Sequence, residues 1–450
     1  MAKNVNIMKK LPRIFLALLL PLAASSAMAE GLADVYAAAV ESDPILRAEQ
    51  AAYEAATHGQ RQAKALYLPS VNFSASRTNT KQNITSSTSV FIPAGVRDFA
   101  TKNYSLSLRQ ALYRRDYMTQ LNQAEANTRQ AQATLNSAQQ DLIMRVTERY
   151  FDVLAAQDNL EFTRAEKNAI ERQLEQTKQR FEVGLIAITD VHESQAAFDL
   201  ATASEIVAHN QLEMSHQALR EITGQLPQGL FPLGETLPLI SPDPVNIEQW
   251  IESALKQSFD IIAAEAAVEV AQQGLEQRRA GHHPTLDLVA SRDLTDSDGG
   301  TFGGQKTENT VLSLQLNVPL YLGGSVSAGI RQGRAQLTQA KLALEQRRRA
   351  IQRQVSDAYL GVLASISRVK ALNQAVTSSQ SALKATEAGY DVGTRTTVDV
   401  LNARRELFRT QRDYARARYD YILASLALKR AAGTLNAEDL QHANKWLRSS

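Results

Sequence analysis

Apolar residues recur every seven positions along a stretch that runs from residue 115 to residue 181 without a glycine or a proline. One row contains Val146, Val153, Leu160, Leu174 and Phe181, and a parallel row contains Leu121, Leu135 and Leu142. This spacing is that of a coiled-coil seam. At 1.5 Å per residue, the stretch predicts a helix roughly 100 Å long.

A second long helix is predicted after Gly324, where only four isolated glycines interrupt the pattern up to residue 389. Shorter helical partners are predicted at about 189–222 and 397–432. Many alanines, glutamines and asparagines dilute the apolar rows of these helices. The composition therefore favours coiled coils that contact water on two sides, because a dry seam would be more apolar.

Two pairs of short segments alternate apolar and polar residues with a period of two, which is typical of strands with one apolar face. Phe73 and Ala75 show it in the first pair, and Leu314 and Leu316 in the second. Polar loops separate the members of each pair, so we predict β-hairpins at about 69–113 and 284–321. The pattern alone leaves open a soluble hairpin whose apolar face is buried.

The chain contains an internal sequence repeat with two copies. The segment "RFEVGLIAITDV", beginning at Arg180, corresponds to "GYDVGTRTTVDV", beginning at Gly389, and several other matches keep the same order. We predict two tandem repeats. The predicted organisation is a first repeat at 30–225, a proline-rich connector at 226–246, a second repeat at 247–436 and a C-terminal tail at 437–450.

The N-terminus has the composition of a secretory signal peptide, predicted to span 1–29. A basic start precedes the short apolar run "IFLALLLPLAA", and "AMA" ends at Ala29. The chain has no cysteine, which excludes disulfides and thiolate metal sites. Its formal net charge is only +2, which gives no reason to expect nucleic acid as a partner. These features restrict the location to periplasm, outer membrane or secretion.

Four strands in one chain are too few for a membrane barrel, since known barrels have at least eight. An open sheet edge in lipid would leave backbone groups unpaired, at several kcal/mol each. The strands are therefore expected to be shared among chains. Two copies would give eight strands and a nearly filled interior, whereas three copies would give twelve strands and a lumen lined by serine, asparagine and aspartate. The trimer is favoured.

These residues resemble the TolC family of trimeric outer-membrane exit ducts. The resemblance covers essentially the whole mature chain and is most specific at 179–191, at 389–401 and in "GTLN" at 433–436. It implies a mainly α fold with a small β part. Long coiled-coil helices would form a periplasmic α-barrel joined to a trimeric 12-stranded outer-membrane β-barrel.

The resemblance also implies a function and partners. The protein would be a channel of tripartite efflux and type I secretion systems, set in outer-membrane lipid. It would be opened at its periplasmic tip by an adaptor (membrane fusion) protein and an inner-membrane transporter of the RND, ABC or major-facilitator type. Whether drug efflux or protein secretion dominates stays open. The alternative is a periplasmic structural or adhesive coiled-coil protein without channel activity.

Site residues follow from the same resemblance. It implies a gate latch formed by Thr189, Asp190, Tyr390 and Arg395, with a further polar link between Gln173 and Glu387. Asp399 would form an acidic ring at the narrowest point, and Asn402 stands where the best-known members carry a second acid. The adaptor-facing tips would be Val183, Gly184, Leu185, Val392, Gly393 and Thr394. From the residues alone, Asp190 and Asp399 also suit the first turn of a helix, and the tip residues suit turn geometry. Gly184 and Gly393 suit left-handed positions at helix ends, where glycine avoids the Cβ penalty.

No enzyme, metal site or cofactor is predicted. His282 and His283 are adjacent in an extended segment, so their side chains point to opposite faces. His209 and His216 would lie two helical turns apart, which is too far for one ion. The sequence has no glycine-rich phosphate loop and no nucleophile with an acid–base pair near it in sequence.

Overall fold

The computed structural model describes residues 30–88, 92, 94–227, 229–300 and 303–447, so the predicted signal peptide lies outside the described residues. The helices are α1 (Leu32–Ser42), α2 (Pro44–Ala65), α3 (Arg115–Glu182), α4 (Ile188–Thr223), α5 (Ile247–Gln257), α6 (Phe259–Arg279), α7 (Ser325–Asp391), α8 (Thr397–Ala431) and α9 (Ala437–Asn444). The strands are β1 (Ser70–Ile84), β2 (Gly95–Arg114), β3 (Thr285–Ser297) and β4 (Gln305–Asn317).

The two halves have the same order of elements: two helices, two strands, one long helix and one shorter helix. Helix α3 has 68 residues, which corresponds to roughly 100 Å and confirms the long helix predicted from the absence of glycine and proline. Helix α7 has 67 residues. No helix of the described chain is both long and apolar enough to cross a membrane.

The predicted coiled-coil seam of α3 is buried over most of its length. Val146, Val153, Leu160 and Leu174 are each at most 5 % exposed. Helix α3 packs against α1, α2, α4, α6 and α8. Phe181, the last residue of the row, is 39 % exposed because the helix ends one residue later.

The main hydrophobic core lies around the middle of the long helices, where α1, α5, α9 and the connector pack against them. Tyr150 and Phe151 of α3 are fully buried there. The Tyr150 hydroxyl donates a hydrogen bond of 2.9 Å to the carbonyl of Phe231 in the connector. Burial raises the pKa of Tyr150 above its usual range. The connector therefore wraps the helices at this level.

All four strands belong to one antiparallel sheet in the order β1-β2-β3-β4. The two predicted hairpins are joined because β2 pairs with β3, in a register that places Leu106 opposite Arg292 and Leu108 opposite Ala290. Within the described residues, β1 and β4 each pair along one side only. The sheet of one chain therefore has two open edges.

One face of the sheet is an uncovered apolar surface, here called the apolar band. Its residues are between 49 % and 73 % exposed, and they are Val71, Phe73, Leu106, Leu312, Leu314 and Leu316. The opposite face carries polar residues such as Ser74, Ser105 and Asp293, which lie in register. No described element of the chain covers the apolar band, in contrast to the buried apolar face that a soluble hairpin would have.

A buried carboxylate fixes the point where the sheet becomes helix. Asp287 of β3 is 4 % exposed and accepts hydrogen bonds from Arg109 at 2.7 Å and from Arg114 at 2.8 Å. A register shift in β2 between Ala111 and Tyr113 bends the strand just before α3 begins. Because Arg114 is the last residue of β2, the pair ties β3 to the start of α3.

Candidate gate at the helix tips

The far ends of the long helices are two turns with the same backbone geometry. In the first turn, Gly184 has a φ of 75°, and its N–H donates to the carbonyl of Phe181 at 2.8 Å. The N–H of Leu185 donates to the carbonyl of Arg180 at 2.9 Å. This pair of bonds is a Schellman cap, in which glycine takes the left-handed position without a Cβ clash.

The second turn repeats this cap. Gly393 has a φ of 79°, and its N–H donates to the carbonyl of Tyr390 at 3.0 Å. The N–H of Thr394 donates to the carbonyl of Gly389 at 2.8 Å. The left-handed position predicted for both glycines is confirmed, and it explains why the chain repeats the motif. Each copy needs a sharp reversal between a long and a shorter helix.

The helices that leave the two turns begin differently. Thr396 caps α8, and its hydroxyl accepts the N–H of Asp399 at 3.2 Å while the Asp399 carboxylate accepts the Thr396 N–H at 2.9 Å. The corresponding N-cap of α4 is Ala187, whose side chain has no oxygen to accept a hydrogen bond. Asp190 therefore occupies the first turn of α4 without a capping box. The two aspartates occupy equivalent positions in the two repeats, but only Asp399 takes part in a capping box.

Asp399 is held as an anion. Hydrogen bonds from the backbone N–H and the hydroxyl of Thr396 lower the pKa of the Asp399 carboxyl, and the nearby Arg395 acts in the same direction. The side chain is half-buried, and Asn402, three residues further along α8, is exposed. The predicted constriction ring would thus contain one fixed carboxylate per chain. Its place in a pore stays a prediction.

The four residues of the predicted latch do not join one another in a single chain. Among the described residues, Asp190 and Arg395 form no ion pair with each other, and Thr189 is exposed. The phenol oxygen of Tyr390 accepts a hydrogen bond of 3.4 Å from Thr397. The latch therefore stays a prediction.

Arg180, at the end of α3, contacts two residues at the end of α7 and so joins the two tips. Its guanidinium carbon lies 4.7 Å from the centroid of the Tyr390 ring, within the range of a cation–π contact. It also lies 3.4 Å from the carboxylate of Asp391. Sequence reasoning missed Arg180, because nothing in its own segment shows that the ends of α3 and α7 meet.

Little room is left for a side chain at position 389. A Cβ placed on Gly389 would lie 2.8 Å from the Cγ of Arg395 and 3.2 Å from the hydroxyl of Thr394. The aliphatic part of Arg395 thus lies directly against the last turn of α7. Any larger residue at 389 would displace the arginine that the predicted latch needs.

Within one chain Glu387 pairs with Arg404, and the link between Gln173 and Glu387 stays a prediction. Glu387 of α7 accepts a hydrogen bond of 2.6 Å from Arg404 of α8. Arg404 also donates to the carbonyl of Ala169 on α3 at 2.8 Å, so one guanidinium joins three helices. The amide nitrogen of Gln173 is buried without a partner among the described residues. Sequence reasoning missed Arg404, which lies outside both tip motifs.

The predicted adaptor-facing tips are solvent-exposed apolar points. Val183, Leu185 and Val392 are each at least 70 % exposed, and Thr394 is exposed as well. Turn geometry requires Gly184 and Gly393, but it does not require a large apolar side chain beside either glycine. Among the described residues none covers these side chains, and their contact with an adaptor stays a prediction.

In the part of the chain that the structure describes, no three His, Asp or Glu side chains are grouped as a metal site would require. At the tips, Asp399 is held by the cap of α8, and Asp391 lies beside Arg180. Charged groups of this kind can hold helix ends together and select ions by charge.

Comparison with known proteins gives one family. The model of the outer membrane efflux protein family matches residues 35–225 and 250–434. The outer membrane protein TolC of Vibrio cholerae is 39 % identical over 98 % of this chain and 99 % of its own length. The alkaline protease secretion protein AprF of Pseudomonas aeruginosa is 30 % identical over 92 % of this chain and 87 % of its own.

A solved structure shows the same fold. The outer membrane channel CmeC of Campylobacter jejuni superposes with a TM-score of 0.76 at 17 % identity, covering 99 % of this chain and 98 % of that chain. At that identity the likeness extends to the arrangement of the elements. The long helices, the four-stranded sheet and the paired tips are thus an architecture already known from a membrane channel.

Proposed function

Because the chain belongs to the outer membrane efflux protein family, we propose that three copies of it form one continuous duct from the periplasm to the cell exterior. The chain is an outer-membrane channel protein for efflux or secretion, as the resemblance to the TolC family predicted. The family sets aside the alternative of a periplasmic coiled coil without channel activity. The trimer, the gate and the partners are the parts proposed here.

The single observation that supports the duct most directly is the sheet with two open edges and an uncovered apolar band. In lipid, backbone groups along an open edge would lose hydrogen bonds at several kcal/mol each. Pairing β4 of one copy with β1 of the next removes both edges. Three copies then close a barrel of twelve strands, whose apolar band faces lipid and whose serine and aspartate residues face the lumen.

The helices continue this wall into the periplasm. Each chain contributes two pairs, α3 with α4 and α7 with α8, which run from the middle of the molecule to the tips. Six such pairs would form a ring of coiled coils that contacts water on both sides. The repeats are taken as 30–225 and 247–436, with 226–246 as connector and 437–450 as tail, and the two segments matched by the family model agree with this division.

The gate is proposed at the tips. Asp190 and Arg395 lack each other as partners within one chain, and a carboxylate and a guanidinium can form two charge-assisted hydrogen bonds. We place this latch, together with Thr189 and Tyr390, between neighbouring copies, where it would hold the tips inward. Asp399 would form a ring of three carboxylates below the latch. Opening would require a partner that offers competing contacts.

The partners proposed are a periplasmic adaptor and an inner-membrane transporter of the RND, ABC or major-facilitator type. The exposed apolar side chains of Val183, Leu185 and Val392 support an adaptor contact at the tips. A relative named for protease secretion supports a role in protein export as well as in efflux. Crosslinking in cells followed by co-purification would identify the transporter. A Val392→Asp variant should lose the crosslink between the tips and the adaptor.

The gate is tested by single-channel recording. Arg395→Ser combined with Tyr390→Phe should raise the conductance of the channel in a planar bilayer, because the latch loses its guanidinium and its phenol. The matched control is Arg405→Ser, because Arg405 is an exposed arginine of α8 that makes no ion pair with any described residue. An unchanged conductance in a correctly assembled double variant would disprove the latch.

Assembly is tested separately. The unmodified protein should fractionate with the outer membrane and run as a heat-sensitive trimer in mild detergent. A water-soluble monomer without affinity for bilayers would disprove the duct itself, whatever the latch variants show.

A further inference from the structure

The two β-hairpins of the chain are structural copies of each other. The segments "LPSVNFSAS" and "SLSLRQALY" of the first hairpin correspond in sequence to "HPTLDLVAS" and "SLQLNVPLY" of the second. This correspondence makes Ser70 equivalent to Thr285. It also makes Arg109 equivalent to Asn317. Ser70 pairs with Arg109 in the first hairpin, and Thr285 pairs with Asn317 in the second, so the two hairpins have the same register.

The middle of the sheet shows how one hairpin joins another. Strand β2 of the first hairpin pairs with β3 of the second, with Arg109 opposite Val289 and Leu108 opposite Ala290. Within the described residues, the outer strands β1 and β4 each pair along one side only. Because the hairpins are equivalent, the free edge of β4 corresponds to the edge of β2 that holds β3. The free edge of β1 corresponds in the same way to the paired edge of β3.

The register of the inner joint can therefore be transferred to the outer strands. It places Asn317 opposite Ser74 of the next copy, and Leu316 opposite Ala75. Leu316 belongs to the apolar band, and Ala75 lies on the same face of β1 as Phe73. A shift by one residue would place a serine opposite Leu316, because side chains alternate between the faces. The transferred register continues the apolar band from one copy to the next.

Charged side chains close the inner joint on the face opposite the apolar band. Asp287 of β3 is 4 % exposed and accepts hydrogen bonds from Arg109 and Arg114 at the end of β2. Further along the same face, Ser105 of β2 donates a hydrogen bond to the carboxylate of Asp293 on β3. Two carboxylates and two guanidinium groups therefore lie at the joint inside one chain.

The equivalent positions at the outer edges carry no charge. They are Asn72 and Thr78 on β1, Ser313 and Asn317 on β4, and Leu322 just after β4. Asn72 takes the place of Asp287. Asn317 takes the place of Arg109. Both asparagines are exposed in the single chain.

Uncharged groups suit an edge that stays open until another copy arrives. A charge that is buried without its partner costs far more than an amide in the same position. The side chain of asparagine has both donors and an acceptor, so it can bond to water before assembly and to a polar side chain afterwards. The outer edges thus combine the backbone register of the inner joint with side chains that tolerate both states.

We propose that, in the trimer on which this inference rests, β4 of one copy pairs with β1 of the next in the transferred register, and that neutral polar side chains close this boundary. Each outer edge then recognises the opposite edge of a second copy. Asn317 lies opposite Ser74 and two residues along the strand from the position opposite Asn72. The boundary between copies and the joint inside each copy share a backbone geometry but differ in charge.

Cysteine crosslinking tests the register, because the chain has no cysteine of its own. Thr78→Cys is combined with Ser313→Cys, since the two positions lie opposite each other in the proposed register, as Asp293 and Ser105 do inside the chain. Oxidation of the purified channel should link copies into covalent dimers and trimers on heated, non-reducing gels. Within one chain the two positions lie on the two outer strands, so a link reports a contact between copies.

Two control pairs shift the register by two residues without changing the face. Thr78→Cys is combined with Val311→Cys in one control and with Gln315→Cys in the other. Both pairs should crosslink about tenfold more slowly than the matched pair, because diagonal neighbours are further apart than opposite residues. The order of the three rates therefore reads out the register.

A designed ion pair tests the assignment of the two asparagines. Asn317→Arg alone should speed the dissociation of the heated trimer about tenfold, because it adds a cation to the boundary without a carboxylate. Adding Asn72→Asp should bring the rate back to within about threefold of the unmodified protein, since the pair reproduces that of Arg109 and Asp287. Thr80→Asp adds the same charge further along the same face of β1 and should not restore the rate.

Three results would overturn the proposal. One is faster crosslinking in either control pair than in the matched pair. Another is the absence of crosslinking in all three pairs, in channels that still run as heat-sensitive trimers. The third is equal dissociation of Asn317→Arg with and without Asn72→Asp. In each case the trimer would stand and only its register would be wrong, whereas an unmodified protein that runs as a monomer would disprove the proposed trimer and this boundary with it.

Discussion

Tyr419 of α8 donates a hydrogen bond of 2.7 Å to the carboxylate of Asp158 on α3. The tyrosine is 4 % exposed, and its ring stacks on Phe151 with the ring centroids 5.3 Å apart. Burial raises the pKa of Asp158 despite this hydrogen bond, and the nearby Glu161 adds to the rise. The contact between the two coils in this region therefore contains a carboxylate whose ionised form is disfavoured.

The first prediction concerns pH. Because the folded state raises the pKa of Asp158, the carboxyl contributes stability that is fully present below its unfolded pKa, about 4, and is lost as pH rises through the folded value. Asp158→Asn cannot titrate and keeps an oxygen for Tyr419. The melting temperature of the variant, relative to the unmodified protein, should therefore increase between pH 4 and pH 8.

Asp152→Asn is the control for this comparison. Asp152 lies on the same helix and pairs with Arg416 at 2.9 Å. Its removal should lower the melting temperature without an upward trend of the difference between pH 4 and pH 8. Parallel melting curves for Asp158→Asn and the unmodified protein across this range would contradict the assigned rise in pKa.

The sequence predicted the elements well where one residue type decides the backbone. Helix α3 was expected at 115–181 and spans Arg115–Glu182, because no glycine or proline interrupts it. Gly184 and Gly393 were expected in left-handed positions for the same kind of local reason. Asp399 was expected in the first turn of a helix, and it lies there, in a capping box with Thr396.

Contacts between distant segments could not be predicted in the same way. The pairing of β2 with β3 joins strands that are far apart in the chain, and two hairpins with apolar faces are equally consistent with separate sheets. Arg404 binds Ala169 and Glu387, which lie on two other helices. Sequence patterns fix the face of a helix but leave its rotation and its neighbours open, so these partners required the folded chain.

The second prediction concerns the apolar band. Leu314 is 63 % exposed and lies in register with Leu288, whereas Ser313 next to it points to the opposite face. Leu314→Arg should destabilise the assembled channel by about 2–4 kcal/mol if it faces the bilayer centre. Ser313→Arg should cost less and shift ion selectivity towards anions. Heat resistance of the oligomer on unheated gels and reversal potentials measure the two effects.

Equal losses of heat resistance in Leu314→Arg and Ser313→Arg would contradict the assignment of one face to lipid and the other to the lumen. Both variants add the same side chain to the same strand, so a difference between them reports the environment of each face.

The third prediction concerns the proposed constriction. Asn402 lies three residues after Asp399 on α8, and residues at this spacing share a helix face. Asn402→Asp adds a second carboxylate per chain next to one that is already ionised. The concentration of a trivalent cation that halves the current should fall at least tenfold, equal to about 1.4 kcal/mol. Asn402→Gln is the neutral control, and an unchanged block in Asn402→Asp would show that this face does not line the narrowest point.

The last prediction uses a difference between the two repeats. Asp43 caps α2 and accepts two hydrogen bonds from Arg145, at 2.7 and 2.9 Å, whereas the equivalent Ser258 before α6 makes no side-chain cap. Burial alone would raise the pKa of Asp43, but its bonds to Arg145 and to the N–H of Leu46 lower it. Asp43→Ala should cost about 3 kcal/mol at neutral pH, because Arg145 loses its carboxylate, while Ser258→Ala should cost far less.

The stability that Asp43 adds is present above its unfolded pKa and is lost as pH falls through the lower folded value, so the difference between Asp43→Ala and the unmodified protein should shrink below pH 4. Thermal unfolding at pH 7 and pH 3 measures both effects, and equal costs for the two alanine variants would contradict the role given to the ion pair.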